Sequence, residues 1–170
     1  LKDFLNILKR HDLVDKNIHV SVSSPLNRCD NRIDRYVRTA LDEYNYDHVI
    51  ILVDSEGEDP ETIRRNIIEE HLRDINNKLD KVSIIVAHPC LESILCKVMN
   101  LSGCETGTCH DIIRIIEQKI RREYEKKMFH TLMIKELSRR FENVSSIDHF
   151  INCLPEELKK IIECFQCSHD

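Results

Sequence analysis

Five carboxylates fall within eight positions in Asp54-Ser-Glu56-Gly-Glu58-Asp59-Pro-Glu61, directly after the apolar run Val49-Ile-Ile-Leu-Val53. Asp54 and Glu56, one residue apart, repel each other unless a cation or protons intervene. Hard oxygen ligands in a loop suit Mg²⁺ or Mn²⁺, held by one or two carboxylates together with water and phosphate. A solvated acidic turn is the blander reading. Asp59 and Glu61 need no such role: a capping Asp, Pro in the first turn and an acid near the positive end open a helix. A second apolar run, Lys81-Val-Ser-Ile-Ile-Val-Ala-His88, stops at Pro89. His88 could hydrogen-bond a phosphate or close the end of a sheet. Glu92 falls in the first turn of the helix that follows, where the dipole favours any acid.

The eight cysteines are scattered. Cys104-x4-Cys109-His110 and Cys164-x2-Cys167 could supply four soft ligands for a structural tetrahedral zinc site. A Cys104–Cys109 disulfide around Gly107 is a second reading, and partly buried thiols a third. No Ser–His–Asp or Cys–His order can be assembled from spacing, and the glycines of a nucleophile elbow or a P-loop are missing. The most basic stretch runs from Arg114 to Arg140. Lys119, Arg122 and Lys126 on one helix could face phosphates, but interspersed Glu117, Glu123 and Glu125 favour a salt-bridged, solvated face.

These residues depend on the elements that carry them. Residues 49–53 are too short for a globular helix and rich in β-branched side chains, so they read as a strand buried on both faces of a parallel sheet. Carboxylates at the carboxyl end of such a strand stand where open α/β sheets place ligands. Asn17–Ser23 alternates as a strand does, and Ser24-Pro25-Leu26-Asn27 breaks it. Three parallel strands are expected, near 18–22, 48–53 and 82–87, with 48–53 central. Helices are expected over 1–10 (Leu1, Phe4, Leu5 and Leu8 on one face), over 31–44 (capped by Asp30 or Asn31, with Ile33, Tyr36, Val37, Ala40 and Leu41 inward) and over 60–76. Strand–helix alternation to residue 99 argues for an α/β body over 1–100. From Asp111 the pattern is helical without a strand, with Pro155 opening the last helix. This part reads as a helical C-terminal cap over 108–170 that shares the core.

A chain of 170 residues can bury a real core, and its net charge of −5 removes the easy argument for nucleic acid from a basic protein. No apolar stretch approaches the ~20 residues needed to span a bilayer, and the start has no signal-peptide layout. The reading is a cytoplasmic protein. Many Ile, Lys, Arg and Glu with only 3 Gly fit a heat-adapted protein, although a low-GC genome skews composition the same way.

At this point the residues resemble a family. The topoisomerase–primase (Toprim) superfamily carries an acid after its first strand and a D-x-D motif after a later one. The apolar run followed by Asp54-Ser55-Glu56-Gly57-Glu58 is similar to the second motif, with Glu in place of its second Asp. Ala87-His88-Pro89-Cys90-Leu91-Glu92-Ser93-Ile94-Leu95 resembles the N/H-P-C-x-E-x-W-L stretch of small stand-alone Toprim-like proteins associated with phage defence, with Ile94 where Trp is usual. The resemblance covers about residues 1–100. It implies a Toprim-like parallel sheet with flanking helices. It further implies Mg²⁺-dependent phosphodiester chemistry on nucleic acid, as a nuclease in genome maintenance or defence. Asp54 and Glu56 would be metal ligands, and Glu92 and His88 would line the catalytic site. Such domains begin with a strand ending in Glu-Gly-x-x-Glu, whereas this chain begins Leu1-Lys-Asp-Phe-Leu. Either residues precede Leu1, as the absent Met suggests, or the general acid/base is lacking. The rival reading is a non-catalytic module that meets a partner protein through its helical half. A receiver- or Rossmann-type regulatory domain also puts Asp at a strand end but needs phosphate-binding geometry that these residues do not display.

Overall fold

The computed structural model describes residues 2–22, 32–144 and 146–166. Helix α1 (Lys2–Arg10) opens on Asp3, closes on Lys9 and Arg10, and buries Phe4, Leu5, Ile7 and Leu8. Helix α2 (Ile33–Arg38) runs into a π turn, Thr39–Glu43, and leads to strand β1 (Val49–Asp54). Helix α3 (Pro60–Asn66) continues through a π turn and a 3-10 stretch to Lys81, and strand β2 (Val82–Ala87) follows. The remainder is helical among the described residues: α4 (Leu91–Val98), α5 (Cys109–Ile120), α6 (Phe129–Glu142), α7 (Ile147–Asn152) and α8 (Glu156–Gln166).

β1 and β2 pair in parallel from Val49↔Val82 to Asp54↔Ala87. Alternation then sorts their side chains by face. Val86, with Ile84 and Val82 partly buried, packs on Ile33 and Val37 of α2 and on Ile63 and Ile67 in and after α3. Ile85 and Ala87 face the larger core, which gathers residues of α1 and of α4 through α8. The protein is a mixed α/β fold whose parallel sheet lies between two helical layers. Its larger core joins the first helix to the last. No helix among the described residues is long and apolar enough to cross a membrane.

Four expectations are corrected. Residues 18–22 form no strand, and the described sheet has two strands, so β1 is not central. Ile18 and Val20 do pack against the core, as their alternation requires. Their backbone is tied locally instead of by a ladder: the Lys9 ammonium donates to the carbonyls of Lys16 and Ile18. Nor is β1 buried on both faces, since Leu52 is 44% exposed. In a sheet this narrow, β2 takes the more buried place. Tyr36, expected inward, is exposed, because the apolar stripe of α2 narrows to Ile33 and Val37. Asp30, Asn31 and the Ser24–Asn27 break lie outside the described residues, and Arg32 occupies the N-cap position of α2 without a side-chain cap bond. In contrast, Asp59 caps α3 as expected, accepting the Thr62 backbone N–H at 2.8 Å. That bond holds its carboxyl below the usual carboxylate range.

Ser83 of β2 joins two further elements. His48 Nε2 lies 2.9 Å from Ser83 Oγ, and the Cys164 thiol of α8 donates to the same oxygen. Burial lowers the His48 pKa from its ordinary 6.5, against the opposing charge of Asp80. The folded state therefore prefers the neutral ring, and the unfolded chain binds the proton more readily. Stability from this residue is full above about pH 6.5 and is lost as pH falls from there to the depressed folded value. Urea unfolding from about pH 7.5 to about pH 5 should show a larger loss for wild type than for His48→Gln, which keeps a polar nitrogen near Ser83. Parallel curves would remove His48 as the cause.

Candidate functional site

The register sets Asp54 beside Ala87, so both strands end at one edge. The ladder continues one residue further, with the Ser55 N–H donating to the Ala87 carbonyl at 3.0 Å. The chain then reverses through Glu56 (φ +51°) and Gly57 (φ +87°), two successive residues in the left-handed region. Glycine suits this conformation. Glu56 does so at a cost of roughly 1–2 kcal/mol, and such strain tends to mark ligand clamps and active sites.

What holds the turn is mainly Ser55, which is fully buried. Its hydroxyl donates to the Pro89 carbonyl at 2.9 Å and accepts the Gly57 N–H at 3.3 Å. The same oxygen lies 3.0 Å from His88 Nδ1. The direction of the His88 contact is set by the ring's tautomer: with the single Ser55 hydroxyl proton on Pro89, Nδ1 is the donor. In the neutral ring this leaves Nε2 as the proton-accepting nitrogen. The Pro89 carbonyl also accepts the Gly57 N–H at 2.9 Å. The acidic loop is thus latched to the His88–Pro89 segment, whose peptide bond is cis.

Asp54 orients within this latch by accepting the Glu56 N–H on Oδ1 at 3.1 Å. Asp54, Glu56 and His88 are brought to the same edge. Glu92 takes a different position: it is 5% exposed and accepts from the Tyr124 hydroxyl at 3.4 Å. Burial, then the Glu92 charge, pushes the Tyr124 phenol well above its usual range. Among the described residues no group of three or more His, Cys, Asp or Glu side chains converges as a metal cage. The donors at the edge are two carboxylates in one turn.

Sequence reasoning missed Ser55 and Tyr124 as members of the site. A serine between two acids carries no signal of its own, because its partner His88 lies 33 residues away. Tyr124 follows α5, whose end at Ile120 also breaks the expected basic stripe. Arg121 takes a left-handed C-cap conformation, so Lys126 lies on a separate 3-10 turn and not on the Lys119 face. The solvated reading fits better here: Lys127 pairs with Glu125 at 2.7 Å.

The thiols also differ from expectation. Cys104 is bridged to Cys96, not to Cys109. Thr108 caps α5 through a capping box with Asp111, which places Cys109 in the first turn against the Pro89 carbonyl, while the preceding loop brings Cys104 back over α4. With its sulfur in a disulfide, Cys104 cannot ligate zinc. Cys167 lies outside the described residues. Comparison of the chain with family models, with curated proteins and with solved structures finds no match.

Proposed function

We propose that the carboxyl edge of the sheet is a divalent-cation site for phosphodiester chemistry on nucleic acid, in the manner of a Toprim-like nuclease. The observation that supports this most is the parallel β1–β2 register, which brings the Asp54–Glu56 turn and His88 to one edge. Asp54 and Glu56 would hold Mg²⁺ or Mn²⁺, and the cation would supply charge neutralisation at a phosphate. His88, fixed through Nδ1 by Ser55, presents Nε2 as a hydrogen-bonding or proton-accepting group. Ser55 positions it.

Calorimetric titration with Mn²⁺ tests this reading. Asp54→Asn keeps an oxygen to accept the Glu56 N–H, so the turn should survive while affinity falls at least about tenfold through loss of a charged ligand. Glu61→Gln, which touches only the helix start, should bind as wild type does. Equal binding by wild type and Asp54→Asn, or no binding by wild type, rejects the metal reading.

A second reading is favoured by Glu92 being turned toward Tyr124 and by Glu standing at the second acidic position of the Toprim-like motif. It is a non-catalytic module acting through the helical half. A folded wild type that gives no heat with Mn²⁺ supports this reading over the first.

A further inference from the structure

Strand β1 has one lateral edge that the sheet leaves open, and its ladder to β2 fixes which backbone groups that edge carries. The Ser55 N–H donates to the Ala87 carbonyl, so Ser55 turns its backbone groups toward β2. Both groups of a strand residue point to the same side, and successive residues alternate. Val49, Ile51 and Val53 therefore pair with β2, while Ile50, Leu52 and Asp54 direct their N–H and C=O groups outward. Among the described residues no backbone hydrogen bond reaches those outward groups, and β1 is paired only with β2. The opposite edge is different: the outward carbonyl of Ile84 in β2 accepts from Arg64 Nε at 3.4 Å.

Edge strands that stay single carry devices against pairing, chiefly a charged side chain, a proline or a bulge. Val49-Ile-Ile-Leu-Val53 has no charge and no proline, and its register with β2 is unbroken. Leu52, at the middle of the outward set, is 44% exposed. The acids decide the direction in which a second such strand fits. Parallel and in register, Asp54 would lie beside Asp54 of the neighbour, with Glu56 and Glu58 following. Antiparallel, about a two-fold axis through Leu52, Asp54 lies opposite Ile50 and the two acidic turns stand at opposite ends. The same axis sets Leu52 against Leu52 on one face, and each facing pair exchanges two backbone hydrogen bonds. The edge is thus complementary to itself, as an isologous interface requires. We propose that the free edge of β1 docks the β1 strand of a second copy of this chain, antiparallel, so that two two-stranded sheets join in the order β2–β1–β1–β2.

Sedimentation equilibrium on the full chain should show a reversible dimer. Leu52→Lys sets two ammonium groups against each other across the axis and should raise the dissociation constant at least about tenfold. Leu52→Pro removes only an outward N–H, which an edge strand tolerates. It should weaken the dimer as much while the circular-dichroism spectrum of the fold is kept. A third variant reads the geometry. Facing residues of this kind stand about 5.5 Å apart at Cα, within reach of a disulfide. Leu52→Cys should therefore cross-link two chains through the introduced thiols under mild oxidation, as peptide mapping reads. A wild type that is monomeric up to about 1 mM overturns the proposal, whether the edge then stands open or takes an extended segment of a different protein. So does a dimer unaffected by Leu52→Lys and Leu52→Pro, or one whose introduced thiols link only to native cysteines. Leu52→Lys and the cross-link decide the matter even if Leu52→Pro fails to fold.

Discussion

Phe150→Ala is expected to lower the free energy of unfolding by about 3–5 kcal/mol. Phe150 lies on α7, is fully buried, and meets the ring of Phe141 edge-on at 4.8 Å between centroids. It sits where α6 and α7 enter the larger core. Truncation removes the transfer energy of the ring, leaves a cavity, and forfeits an aromatic pair. For a domain stable by about 5–15 kcal/mol this is a large fraction. Ile147 on the same helix is 42% exposed, and its alanine variant should cost well under half as much. Chemical denaturation of both variants checks the contrast. A Phe150→Ala loss near ~1 kcal/mol would mean that α7 does not pack as described.

The second large effect concerns the join between α4 and α8. Lys97 Nζ lies 3.0 Å from Glu157 Oε1, with the two side chains 21% and 11% exposed. The other carboxylate oxygen, Oε2, is buried without a hydrogen-bond partner. The Lys97 carbonyl is itself held by Arg140 at 3.0 Å, and Arg140 also reaches the Cys153 carbonyl at 2.8 Å. Lys97→Met keeps the aliphatic stem but strands a buried carboxylate, so stability should fall by about 2–4 kcal/mol. That is slightly below the range for a fully buried pair, because Lys97 keeps some contact with water. Adding Glu157→Gln should recover part of the loss, since a neutral amide is cheaper to bury than an unpaired charge. A double-mutant cycle with no coupling between the two positions would show that the pair is not formed.

Parts of this architecture were legible because burial leaves a direct mark on residue type. The runs at 49–53 and 82–87 are too short and too β-branched for anything but strands, although β1 is only partly buried, and one helical segment between them leaves parallel pairing as the economical solution. Asp59-Pro60 marked the start of α3 because capping is a local interaction. The segment 17–22 shows where that legibility stops. Alternation reports which side chains face the core, but not which backbone groups find a ladder, and there a lysine side chain took the carbonyls. Glu92 illustrates the same limit from another direction. An acid in the first turn of a helix looks the same in sequence whether it faces solvent or Tyr124. The pairing of Cys104 with Cys96 was equally hidden, because it depends on how the loop after α4 turns back before Thr108 caps α5. Ser55 was inconspicuous for a chemical reason: a hydroxyl acquires its role only from the partners a fold brings to it.

The larger core has a consequence for the order in which the chain can become ordered. It unites Phe4 and Leu8 of α1 with Phe150 of α7 and with Ile161 and Phe165 of α8, residues separated by most of the sequence. The smaller core needs only residues 33–86. During synthesis the sheet and its α2–α3 layer can therefore close while the rest is still being made, and α1 must wait. Its apolar face has no final partner until α6 and α8 have left the ribosome. Closing so long a loop costs entropy before its contacts are formed. In that interval Phe4, Leu5 and Leu8 stay exposed on a nascent chain, where holdase chaperones bind and where misassembly begins.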